Sequence, residues 1–399
     1  MENLAIKGGS PLYTKGFPAW AMSTGEDRNN LKAAYETGNW GPGGEQNRRF
    51  AADFAAYSGV KYCIPVANGT VSIEMILRGL GIGRGDEVIV PPYTFIASVS
   101  ALIYAGVTPV FADIDKDTFL LSPESAEKAI TPRTKAIMPV YVGGRPAELY
   151  AFEALCKKHG LYLIGDAAQA VGSEYDGKGV GNYGIAASIS CQASKNLTCG
   201  EGGIILTNDD ALYGRIRQML NGGMGEDGRY HYVGLSNGMS EFQAAVLNTQ
   251  LKALPDQIAK RMENAAYLTS LLDKLPFVYT LKKDPRVTRD SYHLFLFGLR
   301  EEMFRGVSKQ TFVDAVNAEG IPLSVGYMPV YTSPSVSGPY AVKCVGGPLN
   351  VTPDTPVADL VSYHEGCWLY HATLLGERGD MEAIANALLK VYENIDELI

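Results

Sequence analysis

The sequence predicts an α/β protein built on a mainly parallel sheet with helices on both faces. Between residue 60 and about residue 210, short apolar runs alternate with segments of helical periodicity, which is the pattern of consecutive β-α units. Several of these runs lack polar alternation, so they predict strands covered on both faces. The length of 399 residues exceeds the usual size of one hydrophobic core, so a smaller second domain is expected.

Seven strands and several helices can be placed from these patterns. The predicted strands are residues 62–66, 87–91, 109–112, 136–140, 161–165, 186–191 and 203–207. Ile73, Ile76, Leu77 and Leu80 have helical spacing after the first strand, and Leu149, Phe152 and Leu155 form a similar stripe in a helix that should end at Gly160. Each helix therefore presents one apolar face to the sheet.

The domain boundary is predicted near Pro255. A helix that follows the glycine-rich segment 221–228 should end at this proline, which cannot donate a backbone hydrogen bond. We therefore expect a large domain of residues 1–255, including an N-terminal arm, and a small C-terminal α/β domain of residues 256–399. A final amphipathic helix is expected from Asp380.

Composition argues against several classes of function. The net charge of -8 comes without a basic block, so nucleic acid is not expected as a partner. The sequence has neither a signal peptide nor a long apolar run, and its six cysteines form no CxxC pair, so a soluble cytoplasmic protein with reduced thiols is expected. The five histidines show no HExxH spacing, and no metal site is predicted.

Residues just beyond the carboxyl ends of the strands are the first candidates for chemistry, because ligands of open α/β sheets bind there. Gly69 and Thr70 begin a helix whose free amides could bind an anion, although Thr70 could equally serve as a cap. Tyr93 and Phe95 follow the next strand, where an aromatic face could stack on a flat ring or pack in the core.

Two charged residues at strand ends point to carbonyl chemistry. Asp166 ends a very apolar strand, so its carboxylate needs a cation such as a protonated pyridine nitrogen, unless it serves as a helix cap. Lys195 follows another buried strand. Its amine could attack a carbonyl if burial lowered its pKa, whereas an ordinary lysine would be solvated. Ser190, on the same segment, could bind phosphate.

These motifs, in this order, resemble the DegT/StrS family of pyridoxal-phosphate-dependent sugar aminotransferases, which have fold type I. The resemblance covers nearly the whole chain and rests on Asn68-Gly69-Thr70, Pro91-Pro92-Tyr93-Thr94-Phe95, Asp166-Ala167-Ala168-Gln169-Ala170, Ser190 with Lys195-Asn196-Leu197-Thr198, Gly200-Glu201-Gly202-Gly203 and Met239-Ser240-Glu241-Phe242-Gln243-Ala244-Ala245.

The resemblance implies that pyridoxal 5′-phosphate forms a Schiff base with Lys195 and that Asp166 pairs with the nitrogen of its ring. Lys195 would also move the proton between the two substrate carbons. The other implied cofactor contacts are Gly69, Thr70 and Ser190 at the phosphate, Phe95 on the ring face and Gln169 at the 3-oxygen.

The resemblance also implies a homodimer whose two active sites lie at the subunit interface. Near residue 236 the family commonly has Asn-Tyr-Arg-Met, with the asparagine reaching the phosphate of the other subunit. This chain reads Ser236-Asn237-Gly238-Met239. Either Ser236 or Asn237 is therefore expected to take that role.

The predicted reaction is transfer of an amino group from glutamate or glutamine to a keto-sugar or a keto-cyclitol. A nucleotide-linked sugar stands slightly ahead of a free inosose. Tyr93, His293 and Tyr327 are candidate substrate contacts, and core packing is the alternative for each of them.

Four other functions are alternatives to this one. A family member that dehydrates a keto-deoxysugar is disfavoured, because such members carry histidine in place of the Schiff-base lysine and this chain has Lys195. An aminotransferase that forms an aminobenzoate would keep Lys195, so it stays open. A catalytically silent sensor of the cofactor or of an amino-sugar is disfavoured by the intact set of Lys195, Asp166 and Gln169. A nicotinamide dehydrogenase is disfavoured because the glycines at 79–83 precede a strand instead of following one.

Overall fold

The central sheet contains the seven predicted strands, each within three residues of its expected ends. A computed structural model describes residues 3–23 and 25–399. The strands are β1 (Tyr62–Val66), β2 (Glu87–Val90), β3 (Thr108–Phe111), β4 (Thr134–Ile137), β5 (Tyr162–Asp166), β8 (Ala186–Ser190) and β9 (Gly203–Thr207), with β6 (Glu174–Tyr175) and β7 (Lys178–Gly179) forming a separate pair. The order across the sheet is β1-β9-β8-β5-β4-β2-β3.

The sheet is parallel except at β9, which runs antiparallel to both of its neighbours. Helices of the first half of the chain are α1 (Glu26–Glu36), α2 (Glu45–Ser58), α3 (Gly69–Gly79), α4 (Ala97–Tyr104), α5 (Pro123–Lys128), α6 (Leu149–His159) and α7 (Asp210–Leu220). The buried sequences of β2, β8 and β9 agree with a sheet covered on both faces. The predicted α/β fold class is confirmed.

The start of α3 is fixed by a cap and by a close backbone contact. The side chain of Asn68 accepts a hydrogen bond of 2.9 Å from the N–H of Val71. A Cβ on Gly203 would lie 2.2 Å from the carbonyl oxygen of Asn68, so β9 can pass this close only with glycine at that position. The first turn of α3 is therefore held against the end of β9.

One predicted helix end was wrong, because α8 (Glu241–Leu272) continues through Pro255. A proline inside a helix costs about 3 kcal/mol or more. The helix tolerates this cost because both of its halves are buried, with Leu254 in the main core and Leu268 in a second one. A capping box between Ser240 and Gln243 fixes its first turn.

The second core surrounds an antiparallel sheet of order β10-β11-β13-β12, formed by β10 (Val278–Thr280), β11 (Leu294–Leu299), β12 (Leu323–Ser324) and β13 (Gly366–Tyr370). The helices of this half are α9 (Lys309–Ala318), α10 (Pro334–Ser337), α11 (Pro339–Val345), α12 (Pro356–Leu360) and α13 (Arg378–Glu393). The C-terminal helix predicted from Asp380 is thus present as α13.

The N-terminal arm packs against this second core, to which Leu4 and Tyr13 belong. Because α8 joins the two cores, the division into residues 1–255 and 256–399 stays a prediction. No helix in the described ranges is long and apolar enough to span a bilayer.

Candidate active site

Asp166 lies at the carboxyl end of β5 and is held by two hydrogen bonds. Its Oδ2 accepts a bond of 2.6 Å from the hydroxyl of Ser98, and its Oδ1 accepts one of 3.1 Å from the N–H of Ala168. Only 2% of the residue is exposed. Burial raises the pKa of the carboxyl, and the two bonds and the nearby Lys195 oppose that shift. The carboxylate is therefore placed to meet a cation in the site.

Lys195 lies on the loop that connects β8 to β9, and its amine has a lowered pKa. Burial lowers the pKa to about 8, while attraction to Asp166 acts in the opposite direction. The two side chains are therefore close enough for their charges to influence each other. The lowered pKa increases the fraction of the amine that is neutral near physiological pH, and the neutral amine is the form that attacks a carbonyl.

The first turn of α3 and Ser190 form a cradle for an anion. A Cβ on Gly69 would lie 2.8 Å from the Cβ of Ser190, so glycine leaves space that any other residue would fill. The N–H groups of Gly69 and Thr70 belong to the first turn and have no partner within the helix. Free amides at a helix start are a general phosphate site. The predicted phosphate residues are thus together in the structure.

Gln169 and Phe95 have different surroundings. The side-chain oxygen of Gln169 accepts a bond of 2.8 Å from the N–H of Gly143, and its Nε2 donates one of 2.9 Å to the hydroxyl of Tyr327. Gln169 therefore has a fixed orientation in the site. Phe95 is 53% exposed, which leaves a ring face free to cover a flat ligand.

Comparisons with known proteins identify the family of the chain. Residues 22–354 match the model of the DegT/DnrJ/EryC1/StrS aminotransferase family. The chain belongs to this family. It is an aminotransferase of fold type I, as the sequence motifs predicted.

Two relatives are named L-glutamine:2-deoxy-scyllo-inosose aminotransferase. The protein from Streptoalloteichus tenebrarius is 35% identical and covers 99% of this chain and 99% of its own length. The protein from Streptomyces paromomycinus is 36% identical, with 98% of each chain covered.

Solved structures show the same fold. The crystal structure of 3-amino-5-hydroxybenzoic acid synthase has a TM-score of 0.88 and 31% identity, and covers 96% of this chain and 100% of its own. DesI, solved in the presence of its TDP-sugar product, has a TM-score of 0.86 and 29% identity, covering 99% and 97%.

The three predicted substrate contacts of the aminotransferase lie in different surroundings. Tyr93 is completely buried, and its hydroxyl has no hydrogen-bond partner among the described residues. Tyr327 is partly buried, and its hydroxyl is bonded to Gln169. His293 is 4% exposed, and its Nδ1 lies 3.0 Å from Oδ1 of Asn196, the residue after Lys195. Burial favours core packing for Tyr93, whereas the other two adjoin residues of the site.

Ser236 and Asn237 lie beside the phosphate cradle of their own chain. The carbonyl of Asn237 accepts a bond of 2.8 Å from the N–H of Ala67, next to Asn68. Asn237 is half-buried, whereas Ser236 is exposed. The side chain of Ser236 is therefore the freer of the two to reach another molecule.

Four residues near the lysine loop were not expected from the sequence: Trp20, Arg261, Tyr370 and His371. They come from the N-terminal arm, from α8 and from the end of β13. Trp20 and His371 donate to carbonyl groups of the loop. Within the described ranges, no group of three or more His, Cys, Asp or Glu side chains could hold a metal ion.

Proposed function

We propose that this aminotransferase uses pyridoxal 5′-phosphate to transfer the amino group of glutamine to the ketone of a cyclitol. The observation that carries the proposal is the half-buried Lys195, whose amine has a pKa lowered to about 8 by desolvation, near the buried carboxylate of Asp166. A nucleophilic amine and a carboxylate able to hold a pyridinium proton are the two groups that this cofactor requires.

The residues of the site fit the cofactor. Gly69, Thr70 and Ser190 would hold the phosphate in the cradle that a Cβ at Gly69 would fill. Lys195 would bond to the aldehyde carbon. The bound cofactor supplies an electron sink that stabilises the negative charge left when a substrate carbon loses its proton.

The side chains of this protein then have separate tasks. Asp166 would keep a proton on the ring nitrogen of the cofactor, and Ser98 and the N–H of Ala168 hold the two carboxylate oxygens of Asp166 in place. Lys195 would carry the proton between the two substrate carbons. Gln169 is oriented by Gly143 and Tyr327 to meet the 3-oxygen, and the exposed ring of Phe95 would cover the cofactor face.

The relatives favour a cyclitol as the acceptor and glutamine as the donor. The proteins from Streptoalloteichus tenebrarius and Streptomyces paromomycinus are both named for glutamine and 2-deoxy-scyllo-inosose, and each aligns over nearly the whole chain. The sequence alone placed nucleotide-linked sugars slightly ahead, and these names reverse that order. The similarity to DesI keeps a nucleotide-linked keto-sugar as the second candidate. The likeness to 3-amino-5-hydroxybenzoic acid synthase keeps an aminobenzoate-forming reaction as a third.

We also propose a homodimer with shared active sites. Large apolar side chains are exposed, with Tyr35 at 63%, Trp40 at 47%, Tyr230 at 74% and Val233 at 90%, and the last two shortly precede Ser236 in the chain. The rings of Tyr35 and Trp40 stack at 5.4 Å, and Trp40 packs near Phe242 at the start of α8. Exposed apolar clusters of this kind mark contact surfaces.

We place the reaction in the cytoplasm. All six cysteines are free thiols in the structure, as expected of a protein that works in a reducing compartment.

The proposal is tested with the purified protein and added pyridoxal 5′-phosphate. L-Glutamine and L-glutamate are each paired with 2-deoxy-scyllo-inosose, a nucleotide-linked 4-keto-sugar, a cyclic keto acid and a linear 2-oxo acid, and the aminated products are detected by mass spectrometry. We expect the amino-cyclitol with glutamine and no product with Lys195→Ala. Amination of linear 2-oxo acids without any cyclic acceptor would refute the proposed substrate class.

A further inference from the structure

Three consecutive residues of the lysine loop are anchored to parts of the chain that are distant in sequence. The carbonyl oxygen of Ser194 accepts a bond of 3.0 Å from Nε2 of His371. The carbonyl oxygen of Lys195 accepts one of 3.1 Å from the indole N–H of Trp20. The side-chain amide of Asn196 is likewise fixed, donating a bond of 2.7 Å to the carbonyl oxygen of Ser291. The backbone that carries the catalytic amine is thus held from several sides.

Arg261 determines which nitrogen of His371 carries the proton. Its Nη2 lies 3.2 Å from Nδ1 of His371. Because guanidinium N–H groups can only donate, Nδ1 must accept this bond. Burial, aided by the charge of Arg261, lowers the pKa of His371 to about 2, so the ring is neutral and has a single N–H. That N–H is on Nε2, where it donates to the carbonyl of Ser194.

The setting of Arg261 is unusual for a charged residue. The side chain is completely buried, and within the described ranges its Nε and Nη1 have no hydrogen-bond partner. The ring of Trp20 packs over the guanidinium, with 5.5 Å from Cζ to the ring centroid. Burying a cation without a carboxylate is costly. The hydrogen bond of Arg261 to His371 and its ring contact with Trp20 both involve residues that donate to the lysine loop.

We propose that Arg261 and His371 form a positioning pair for Lys195. Arg261 holds the histidine as the Nε2–H tautomer, and the histidine fastens the carbonyl of Ser194, so that the following residue presents its amine in one orientation. The hydroxyl of Tyr370 bonds to the same carbonyl and would keep part of this restraint if the pair were broken. This inference rests on the proposed role of Lys195 as the reacting amine.

The pair is tested with four variants of the full chain. Arg261→Met removes the donor that fixes the tautomer, and Arg261→Lys keeps a cationic donor. His371→Phe removes the bond to Ser194, and His371→Gln keeps an N–H that can reach the same carbonyl. The control is Lys309→Met, because Lys309 is a partly buried cation that donates to four backbone carbonyls in the second half of the chain.

Three quantities are measured for each variant. The first is the pH midpoint of Lys195 labelling by an amine-reactive sulfonate in the cofactor-free protein, located by mass spectrometry. The second is kcat and KM of the protein loaded with pyridoxal 5′-phosphate, and the third is the melting temperature. If the loop loses the hydrogen bond from His371, water can reach Lys195. The pH midpoint of Lys195 labelling should then rise from about 8 towards the ordinary value of 10.5.

We expect Arg261→Met and His371→Phe to raise the midpoint and to lower kcat about tenfold or more, with a much smaller change in KM, because misplacing a reacting group by a fraction of an ångström is sufficient for such a loss. His371→Gln and Arg261→Lys should recover part of both effects. Lys309→Met should lower the melting temperature and leave the midpoint unchanged.

The inference is overturned if Arg261→Met changes only the melting temperature, as a purely structural residue would. Should Arg261→Met fail to fold, the two histidine variants decide, and equal midpoints for His371→Phe and His371→Gln would also overturn it. If the wild-type protein aminates none of the acceptors, the proposed function fails, and the labelling midpoints of the cofactor-free protein still test the pair.

Discussion

The substitution Asp166→Asn should make the amine of Lys195 more reactive and at the same time slow transamination. In the structure, burial lowers the pKa of Lys195 from 10.5 to about 8, while the charge of Asp166 acts against that shift. At about pH 7, a pKa of about 8 leaves about 9% of the amine neutral, compared with about 0.03% at the ordinary pKa. Folding thus increases the neutral fraction of the Lys195 amine about 300-fold.

The substitution removes the negative charge that favours the protonated amine. The pKa of Lys195 should therefore fall below its wild-type value. Because about one-tenth of the wild-type amine is already neutral at about pH 7, the gain in neutral amine cannot exceed about tenfold. Turnover should fall by several orders of magnitude, since an uncharged amide cannot hold the proton on the ring nitrogen of the cofactor.

The two effects are measured separately. In the cofactor-free protein, the rate of Lys195 labelling by an amine-reactive sulfonate is followed against pH, with exposed lysines of the same chain as the internal reference. In the loaded protein, kcat is measured with saturating glutamine and acceptor. A labelling midpoint equal to or above that of the wild type would refute the electrostatic argument. Turnover within about tenfold of wild type, or about 1.4 kcal/mol, would show that the ring nitrogen has another partner.

Four further outcomes are expected. Lys195→Ala should abolish turnover yet retain the cofactor through its phosphate contacts, as dialysis and a phosphate assay would show; near-native turnover would remove Lys195 from the mechanism. Lys195 binds its proton more weakly in the folded protein than in the unfolded one, so the free energy of unfolding of the cofactor-free protein should increase with pH. Compared with that of Lys195→Met, it should rise by about 3 kcal/mol between about pH 8 and 10.5. A difference between the two proteins that stays flat or falls would contradict the lowered pKa. Gly69→Ala should weaken cofactor binding because its Cβ would lie 2.8 Å from that of Ser190, whereas the control Gly214→Ala, with nothing within 4 Å, should not; equal affinities would exclude the cradle. Ser236→Ala should weaken cofactor retention in the dimer more than Asn237→Ala, and a fully active monomer in sedimentation would disprove the shared site.

The fold was predictable where local pattern and tertiary environment agree. The strands β5 and β9 are mostly apolar and were predicted from that pattern, and a helix was expected at Asn68-Gly69-Thr70, although its cap is Asn68 and not Thr70. Pro255 shows the opposite case, in which local chemistry predicts a helix end and burial on both sides of the proline keeps α8 continuous. That burial depends on contacts with both cores, which no local window of sequence contains.

The candidate site likewise contains residues that the sequence predicted and residues that it did not. Asp166 and Lys195 could be found because both follow apolar strands and lie within recognisable motifs. Arg261 and His371 could not, because they are 110 residues apart in sequence and lie on elements with no motif of their own. His371 is also 177 residues from Ser194, the loop residue to which it donates. From sequence alone, a buried histidine is interpreted as part of the core, because its hydrogen-bond partners are not known. His293 shows that one side chain can be buried and also contact a residue of the site.

Three polar contacts of the site join the part of the chain that precedes α8 to the part that follows it. Gln169 bonds to Tyr327, Asn196 lies within hydrogen-bond distance of His293, and Ser194 accepts from His371, so in each case one member precedes α8 and the other follows it. At about 1 kcal/mol for each bond, these contacts together stabilise this arrangement by only a few kcal/mol. Displacement of the residues that follow α8 would shift Gln169 and the backbone on both sides of Lys195 at once. A substitution at any of these three contacts should therefore lower kcat, even where the altered side chain never touches the substrate.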